Sequence, residues 1–222
     1  MRKMNFDFER ILPSLPFILE GIPLTLKVVA AAGLLGFAWG IILALFKISR
    51  LKPLNWFADI YTSIFRGTPL VLQLMLIYYG APQLFGTQID AFVAAFLSFG
   101  LNSAAYISEV IRAGILAVDK GQKEASMALG VPYNRMMWDI ILPQAMKNIL
   151  PALMNEFITL TKESAVVTVI GLQDIMRRSY IVGGQTYKFL EPILFAGVIY
   201  YVMVIILTVL GKLVERRMRR SD

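Results

Sequence analysis

The stretch Val28–Phe46, VVAAAGLLGFAWGIILALF, contains no charged residue. A bilayer core about 30 Å thick needs roughly 20 apolar residues if a helix is to cross it at about 1.5 Å per residue. The stretch is long enough to do so, and in water it would expose a continuous apolar surface. It therefore predicts a membrane-spanning α-helix.

The composition of the whole chain agrees with this prediction. Of its 222 residues, 57% are hydrophobic and 17% are charged, and the mean hydropathy is +0.65. These values are typical of an integral membrane protein. The net charge of +7 comes mostly from basic residues that flank apolar runs or form the terminal ERRMRRSD, which indicates orientation in a bilayer and not nucleic-acid binding. The chain has no cysteine and no histidine, which excludes disulfides, thiolate chemistry, common zinc sites and imidazole catalysis.

Hydropathy along the chain predicts five spans. Ala91–Ser108 and Pro192–Gly211 are free of charge, as is the first stretch. Two other segments are less clear, because one is short and the other carries Glu156, Lys162 and Glu163. The predicted spans are residues 20–47, 55–80, 90–116, 145–169 and 189–213. The fold class is therefore an all-α integral membrane protein.

The distribution of basic residues predicts the orientation. An odd number of spans places the termini on opposite sides, and Lys and Arg are concentrated after spans 1, 3 and 5. Because cytoplasmic segments carry the excess of positive charge, the N-terminus is expected outside and the C-terminus in the cytoplasm. The N-terminal MRKMNFDFERILPSLP lacks an apolar core followed by a cleavage site, so span 1 is expected to be an uncleaved signal. Residues 1–222 show no repeat or linker and are predicted to form one transmembrane domain.

The longest cytoplasmic segment in this topology is the loop at about residues 117–144. Within it, EASMALG (Glu124–Gly130) predicts a short helix closed by a glycine with positive φ. VPYNRMMWDIILP predicts a second helix that lasts until Pro143. The two helices would form a compact unit outside the membrane, although the spacing alone is equally compatible with an ordinary connector.

The residues of this loop resemble a known signature. The spacing of the EAA motif in type I ABC importer membrane subunits is matched by Glu124, Ala125, Gly130, Ile140, Leu142 and Pro143, with Ser126 in place of the usual third alanine. Five further segments resemble the permeases of the polar amino-acid uptake family. They are RGTPLVLQL (66–74), AAYISEVIRAGI (104–115), GQKEA (121–125), LPQA (142–145) and VIGLQDI (169–175). The resemblance extends over roughly residues 15–215 and implies the type I ABC importer permease fold.

The resemblance implies that the loop contains the coupling helix, which docks in a groove of a cytoplasmic ATPase. Glu124 would offer a charge to the partner, Ala125 and Ala128 would permit close approach, Gly130 would set the turn, and Pro143 would fix the exit. The implied partners are two ABC ATPase subunits, a second permease subunit and an extracytoplasmic amino-acid-binding protein. A homodimer is favoured, and a heterodimer with a related permease stays open.

The source of energy is expected outside this chain. The phosphate-binding motif GxxxxGK[ST] does not occur, so ATP and Mg²⁺ are expected on the partner ATPase and this chain is expected to be a transport subunit, not an enzyme. No cofactor or metal is expected on it. The implied location is the bacterial cytoplasmic membrane. The amphipathic segment GLQDIMRRSY, just outside span 4, is either a contact for the binding protein or an interfacial helix.

Polar residues inside the spans indicate where a substrate would pass. Span 3 places two polar side chains and Glu109 on one face, span 4 places three at successive i+4 steps, and span 2 offers a glutamine. The candidate substrate-binding residues are Glu163, Asn102, Ser98, Thr159, Asn155 and Gln73. Because polar groups that face lipid are costly, such stripes can enclose a wet cavity. For Ser98 and Thr159, a hydrogen bond between helices worth about 1 kcal/mol explains the residue equally well. Arg66 is expected to pair with Glu109 or Glu156.

Glu163 carries the prediction of cargo. An ionised carboxylate in the outer half of a span costs at least about 2.5 kcal/mol unless it is compensated. Lys27, near the outer end of span 1, is one possible partner, and a cationic ligand is the other. Similar permeases often have a shorter or uncharged residue here, as in KDTS or KNTS, so the longer acid favours a guanidinium or ammonium side chain. Asn102 would hold a polar end of the ligand.

Three function classes follow from these observations. The first is the permease of an ATP-driven importer of cationic amino acids such as arginine, lysine or histidine. The second is the same importer with another polar amino acid or a compatible solute as its cargo. The third is a stand-alone channel or carrier, in which an EAA loop would have no evident role.

Overall fold

The computed structural model describes residues 11–219, with side chains as far as Arg216, and every regular element in this part of the chain is helical. The helices are α1 (Leu15–Leu19), α2 (Ile22–Ile48), α3 (Lys52–Gly67), α4 (Leu70–Met75), α5 (Ala81–Phe85), α6 (Ala91–Leu116), α7 (Lys120–Ala128), α8 (Tyr133–Arg135), α9 (Leu142–Glu163), α10 (Ile175–Thr186) and α11 (Leu190–Arg219). Leu12–Ser14 and Ser164–Ile170 form 3-10 helices, and Leu76–Gly80 and Met136–Ile141 form π-helical turns. The all-α class is confirmed.

Three segments are long and apolar enough to cross a bilayer, namely Leu12–Ile48, Ala91–Leu116 and Leu190–Arg216. They coincide with the predicted spans 20–47, 90–116 and 189–213. Helix α9 is also long, but it carries several charged residues, and beyond Glu163 the chain continues as a 3-10 helix. The count of five crossings and the orientation of the termini stay predictions.

The predicted span 55–80 is not one straight helix. The segments Lys52–Gly67 and Leu70–Phe85 are bent by 101° relative to each other. Pro69 lacks an N–H group and disfavours the helical conformation of the residue before it. Thr68 accordingly has an extended backbone, with φ −121° and ψ 147°. The α-helix therefore ends here, and the expected continuous span is replaced by a broken one.

Two other prolines are accommodated inside helical segments. The π-helical turn Leu76–Gly80 precedes Pro82, and the turn Met136–Ile141 precedes Pro143. A proline ring clashes with the carbonyl group four residues earlier, and a widened turn moves that carbonyl away. The helix consequently continues through Pro143 to Glu163, so the expectation that Pro143 ends the second helix of the loop is wrong.

Helices α2 and α6 pack closely at the centre of the chain. A Cβ atom on Gly36 would lie 2.9 Å from the Cβ atom of Ser103, and one on Gly40 would lie 2.7 Å from Cγ2 of Ile107. Two small residues four positions apart let helix backbones approach each other in a membrane. Next to this contact, toward the start of both α2 and α6, lies an apolar core formed by Val28, Val29, Ala32, Leu74, Ala94, Ala95, Phe99, Leu160, Val167 and Ile170.

Candidate substrate path and coupling segment

The predicted polar stripe of span 4 lies along the surface of α9. Asn155 and Glu163 are exposed on the single chain, and Thr159 is partly buried. Residues four positions apart project from one face of a helix. The structure therefore presents these three polar side chains along one line, with Glu163 at its extracytoplasmic end in the expected topology.

Glu163 forms no ion pair within the described residues, and the cation that acts on it electrostatically is the adjacent Lys162. Lys27, one of its two expected partners, instead lies over the ring of Phe92, with Nζ 4.8 Å from the ring centroid. The ion pairs formed in this part of the chain involve other carboxylates. The pair Lys27–Glu163 is therefore not formed, and the carboxylate is open to a group from outside the chain.

Asn102 and Gln73 meet at the break between α3 and α4. Asn102 Nδ2 donates hydrogen bonds to the Phe65 carbonyl oxygen and to Gln73 Oε1, both at 3.0 Å. Gln73 Nε2 donates to the Phe65 carbonyl at 2.9 Å and to Thr68 Oγ1 at 2.8 Å. The two amides thus stabilise backbone groups that the broken helix leaves without helical partners. Their predicted contact with substrate stays a prediction.

Ser98 is placed differently from the residues of α9. Its side chain is fully buried, and its Oγ makes no hydrogen bond within the described residues. A buried hydroxyl without a partner costs free energy, about 1–3 kcal/mol in proteins. The expectation that Ser98 bonds a neighbouring helix is therefore not met, and its contact with substrate stays a prediction.

Glu109 belongs to a charge network that joins three helices, on the cytoplasmic side in the expected topology. Lys47 Nζ lies 2.7 Å from Glu109 Oε1, 2.8 Å from Asp59 Oδ1 and 2.9 Å from Thr62 Oγ1. Arg112 binds the other oxygen of Glu109 through Nε at 3.1 Å and through an Nη atom at 2.9 Å. The side chain of Lys47 is only 3% exposed. The network therefore ties α2, α3 and α6 together, and the expected pair of Arg66 with Glu109 is wrong.

The sequence analysis did not predict that Lys47 forms ion pairs. It used Lys47 only as one of the basic residues that indicate the orientation of the chain in the membrane. The signal that would have found it is its place at the end of an apolar helix, where a neutralising partner must come from the adjacent helices. Asp59 lies in the middle of α3, and Glu109 lies about two turns before the end of α6. The exact partner depends on helix rotation, which hydropathy does not determine.

The coupling segment has the predicted short helix and glycine turn. Asp119 caps α7 by accepting a hydrogen bond from the Gly121 N–H at 2.6 Å. At the other end Gly130 has φ 69°, and two backbone hydrogen bonds of 3.0 Å run from Gly130 to Met127 and from Val131 to Ser126. This is the Schellman arrangement of a helix C-terminus, in which glycine takes the left-handed conformation without steric cost. The predicted positive φ of Gly130 is confirmed.

The outward surface of the coupling segment is polar at its start and apolar at its end. Glu124, Ala125 and Ala128 are exposed. The apolar side chain of Leu129, which follows Ala128 directly, is 82% exposed. Of the second half of the motif, Ile140 and Leu142 are half-buried and Pro143 is exposed. The predicted coupling residues therefore divide into a free surface on α7 and a partly packed group on the path into α9.

A cavity of about 640 Å³ connects the coupling segment to the charge network. Its walls include Lys47 and Arg112 on one side and Lys123, Glu124 and Met127 on the other. A displacement of α7 therefore acts on the walls of the same cavity that the ends of α2 and α6 form.

The segment after Gly171 forms α10, which packs against α1 and α11. Its buried residues Ile175 and Val182 join Ile18 of α1 and Ala196 of α11 in one apolar cluster. Arg178 lies 2.8 Å from a carboxylate oxygen of Glu20. The segment is therefore packed against the chain and does not float, whereas a position at the membrane interface and a contact with a binding protein stay predictions.

Asp174 holds the start of α10. Its carboxylate accepts hydrogen bonds from the Arg177 N–H at 2.8 Å and from the Tyr200 hydroxyl at 3.0 Å. Burial raises the pKa of Asp174 above its ordinary value, although these hydrogen bonds act in the opposite direction. The carboxylate is therefore a packed structural group that is partly destabilised in its charged form.

Comparison with known proteins defines the class to which this arrangement belongs. The family model for binding-protein-dependent transport system inner membrane components matches residues 36–220, most of the chain. The chain belongs to this family. Its members are permease subunits of ABC transporters, which work with ATPase subunits and a substrate-binding protein.

Individual relatives narrow the class further. The arginine transport system permease protein ArtQ of Bacillus subtilis (strain 168) is 62% identical over 219 residues, which are 99% of this chain and 100% of that protein. The putative glutamine transport system permease protein GlnP of Rickettsia felis is 48% identical over 206 residues, 93% of this chain and 94% of that one. A chain in the crystal structure of an amino acid ABC transporter with histidines superposes with a TM-score of 0.92 at 45% identity, covering 96% of this chain and 100% of that one. The resemblance to amino-acid permeases of ABC importers is confirmed.

Proposed function

We propose that this chain is the membrane-spanning subunit of an ATP-driven importer of cationic amino acids. The observation that carries the proposal is the exposed carboxylate of Glu163, which continues the polar line of Asn155 and Thr159 and forms no ion pair in the described part of the chain, where the cation that acts on it electrostatically is the adjacent Lys162. The likeness to an arginine permease at 62% identity supports it. A ligand with a guanidinium or ammonium side chain supplies the missing positive charge.

The position of Glu163 along α9 supports a role in receiving substrate from outside. Counted from Leu142, Glu163 is 21 residues along the helix, a rise of about 32 Å. A carboxylate so far from the cytoplasmic end lies in the outer part of the spanning region. Charge-assisted hydrogen bonds to a guanidinium are short and directional, which favours arginine among the cationic amino acids.

The other predicted residues are assigned to the path on the same basis. Thr159 and Asn155 lie next below Glu163 and would pass the ligand inward. Asn102 donates both amide hydrogens to protein acceptors, which leaves its Oδ1 to accept a hydrogen bond from a ligand ammonium. We place Gln73 and Ser98 beside Asn102 as path residues, with Gln73 acting by holding the helix break in place.

The coupling segment is proposed to dock on a cytoplasmic ATPase. Its exposed surface offers Glu124 for an ionic contact, Ala125 and Ala128 for close approach, and Leu129 for an apolar contact. Its Schellman turn is rigid, and Ile140, Leu142 and Pro143 lead without interruption into α9. Closure of the ATPases can therefore be transmitted as a rigid-body displacement to the helix that carries the substrate residues.

The proposed assembly has two permease subunits, two ATPases that bind ATP and Mg²⁺, and an extracytoplasmic binding protein. This chain itself is proposed to bind no cofactor. The exposed polar line of α9 would be costly against lipid and needs a covering subunit. A second copy is favoured, with a related permease as the alternative. We further propose five spans, with the N-terminus outside and the C-terminus in the cytoplasm of a bacterial cell membrane.

A glutamine importer is the second candidate, favoured by the 48% identical relative from Rickettsia felis. Glutamine carries no net side-chain charge and would leave the Glu163 carboxylate without an ion-pair partner. For this reason the cationic cargo is preferred.

The test is ATP-driven uptake in proteoliposomes that contain the permease, its ATPase and its binding protein. Glu163→Gln should lower arginine uptake at least about tenfold, while stimulation of ATP hydrolysis by the loaded binding protein is retained. Glu163→Asp, which keeps the charge, is the matched control and should retain part of the uptake. Normal arginine uptake by Glu163→Gln, or preference of the unaltered protein for glutamine, would contradict the cationic cargo.

A further inference from the structure

Two cavities lie side by side where the coupling segment meets the ends of α2 and α6. The first, of about 640 Å³, separates α7 from the charge network, and the second, of about 540 Å³, runs between α2, α6 and α9. Each volume is within the range of about 300–1,000 Å³ that is usual for ligand sites. Ile48, Ile115, Tyr133 and Met137 line both cavities. The two cavities therefore adjoin each other along these four side chains and form one site with two compartments.

The compartment between α2, α6 and α9 is apolar. Its walls are aliphatic, aromatic and methionine side chains, among them Phe37, Leu45 and Ile111, together with the amide of Asn134. No charged side chain is among its lining residues. Lipid tails are as apolar as leucine side chains. An uncharged groove between spanning helices is therefore suited to an acyl chain.

The compartment beside α7 is lined by cationic side chains. Lys47 and Arg112 are already bound to carboxylates. Lys120 and Lys123 are exposed, and they form no hydrogen bond or ion pair in the part of the chain that the structure describes. Residues three apart on a helix are neighbours on its surface. Two adjacent ammonium groups are therefore free to bind an anion.

Carboxylates near this compartment are fewer than cations. Asp119 and Glu124 also line it, and Asp119 accepts the capping hydrogen bond from the Gly121 N–H at 2.6 Å. Residues 47–52 contain three Lys or Arg and no acid, and residues 112–147 contain five Lys or Arg and three acids. With Asp59 and Glu109 included, eight cations stand against five acids. This excess of positive charge favours an anionic ligand.

Two aromatic side chains indicate the level of the bilayer surface at this site. Tyr133, which lines both compartments, is 55% exposed, and Trp138, which lines the apolar one, is 72% exposed. Tyr and Trp concentrate at the boundary between hydrocarbon and headgroups, because their rings are apolar and their O–H or N–H groups remain hydrated. The apolar compartment is therefore expected in the hydrocarbon and the basic one among the headgroups.

We propose that this site binds an anionic phospholipid of the cytoplasmic leaflet, with its phosphate at Lys120 and Lys123 and an acyl chain in the apolar compartment. Basic pockets between spanning helices on the cytoplasmic side suit anionic headgroups, and ammonium groups bind phosphate oxygens through charge-assisted hydrogen bonds. The cytoplasmic position is that of the expected topology. Because the walls belong to α7 and to the ends of α2 and α6, a bound lipid joins the coupling segment to the spans.

The second permease subunit is the other candidate for the apolar compartment. The polar line that this subunit is proposed to cover begins at Asn155, whereas the compartment is lined by Met146, Ile149 and Leu153 of the same helix. At about 100° per residue, these three residues lie roughly 120–180° around α9 from Asn155. The compartment is therefore on a different side of α9 from the polar line, which favours lipid as its occupant.

Native mass spectrometry of the permease–ATPase complex tests the basic compartment, with phosphatidylglycerol and phosphatidylcholine of identical acyl chains added in equal amounts. The unaltered complex should bind phosphatidylglycerol at least about tenfold more tightly than phosphatidylcholine. Lys120→Gln and Lys123→Gln should each weaken phosphatidylglycerol binding about fivefold and leave phosphatidylcholine binding unchanged. Lys212→Gln, at an exposed lysine of α11 that lines neither compartment, is the matched control and should change both by less than about twofold.

Leu45→Trp tests the apolar compartment in the same experiment. Leu45 lines this compartment and is exposed, so a larger ring fills the groove without disturbing buried packing. Binding of both lipids should fall at least about fivefold. Leu210→Trp, at an exposed leucine of α11 that lines neither compartment, is the matched control and should leave both affinities unchanged.

Four results would overturn the assignment. Equal binding of the two lipids by the unaltered complex would show that the site does not select an anionic headgroup. An effect of Lys212→Gln as large as that of Lys120→Gln would indicate diffuse attraction to the whole surface. Displacement of phosphatidylglycerol by glycerol phosphate, with no effect of Leu45→Trp, would make the site one for a soluble anion. Loss of one permease subunit from the Leu45→Trp complex, seen as a change of mass, would assign the compartment to the partner subunit.

Discussion

The charged residues at the two ends of the helices have opposite environments. At the ends expected in the cytoplasm, Lys47, Asp59, Glu109 and Arg112 neutralise one another within 3.1 Å. Farther along the helices, Arg66 and Glu163 are exposed and form no close ion pair within the described residues, although Glu156 and Lys162 act on them electrostatically. Burying a charge is costly unless it is paired, so the first group is complete as a structural joint. The chain supplies no close ion-pair partner for the second group. This is the property expected of charges that bind a ligand.

The largest loss of stability is expected from Lys47→Met. This change leaves the partly buried Glu109 with Arg112 alone and removes the bonds from Lys47 to Asp59 and Thr62, whereas the Asn55 hydrogen bonds between α2 and α3 remain. Because Asp59 is 64% exposed and Glu109 keeps one partner, the expected loss is about 3 kcal/mol and not the full cost of a deeply buried charge. Thermal unfolding of the detergent-solubilised protein, followed by size-exclusion chromatography, measures the effect.

Lys52→Met is the matched control for this comparison. Lys52 is exposed at the start of α3, and its replacement should change stability by less than about 0.5 kcal/mol. Equal effects of the two substitutions would contradict the structural role of the Lys47 network.

The close contact of α2 with α6 gives the second-largest expected effect. Gly40→Val introduces a side chain where even Cβ would lie 2.7 Å from Ile107, and overpacking of this kind costs about 1–3 kcal/mol. The same change at Gly197 meets no atom within 4 Å and serves as a control with the same helix propensity. Thermal unfolding should separate the two variants by several degrees. Comparable stability would show that the α2–α6 contact is looser than described.

Gly130→Val tests whether the coupling segment acts as a rigid connector. A β-branched residue at φ 69° is strained by about 1–2 kcal/mol, which should distort the turn while leaving the spans intact. ATP hydrolysis should continue and arginine uptake should fall. Gly130→Asn, which tolerates the left-handed conformation, should retain uptake. Full uptake by Gly130→Val would contradict the coupling role.

A smaller, pH-dependent effect is expected at Asp174. Since its folded-state pKa is raised by burial, the protein binds more protons there when folded, and stability is lost as pH rises from the ordinary aspartate pKa through the raised one. Asp174→Asn keeps an oxygen acceptor for the Arg177 N–H and should remove this part of the pH dependence. Unfolding temperatures of the two proteins across the acidic range measure it. An identical pH profile for both would contradict the shift.

Part of this structure follows from the sequence. The helix over Val28–Phe46 and the positive φ of Gly130 were predicted from local sequence alone, because both depend on interactions between residues close together in the chain. The structure agrees with both predictions. The break at Thr68 was missed because hydropathy averages across a proline. The partner of Glu109 was missed because it depends on the rotation and tilt of three helices. Sequence placed Asn155, Thr159 and Glu163 on one face, but it could not show that Lys27 lies over Phe92 and does not pair with Glu163.

Ligand-dependent stabilisation tests most directly the claim that unpaired outer charges serve the ligand and not the fold. At 100 times its dissociation constant a ligand stabilises a protein by about 2.7 kcal/mol, which for a chain of this size raises the unfolding temperature by roughly 5 °C. Arginine should produce this shift in the unaltered permease–ATPase complex, whereas glutamine should not. Glu163→Gln should unfold at the same temperature as the unaltered complex without ligand and lose the shift with arginine. A Glu163→Gln complex that is itself destabilised by several degrees, or that keeps the arginine-dependent shift, would contradict the claim.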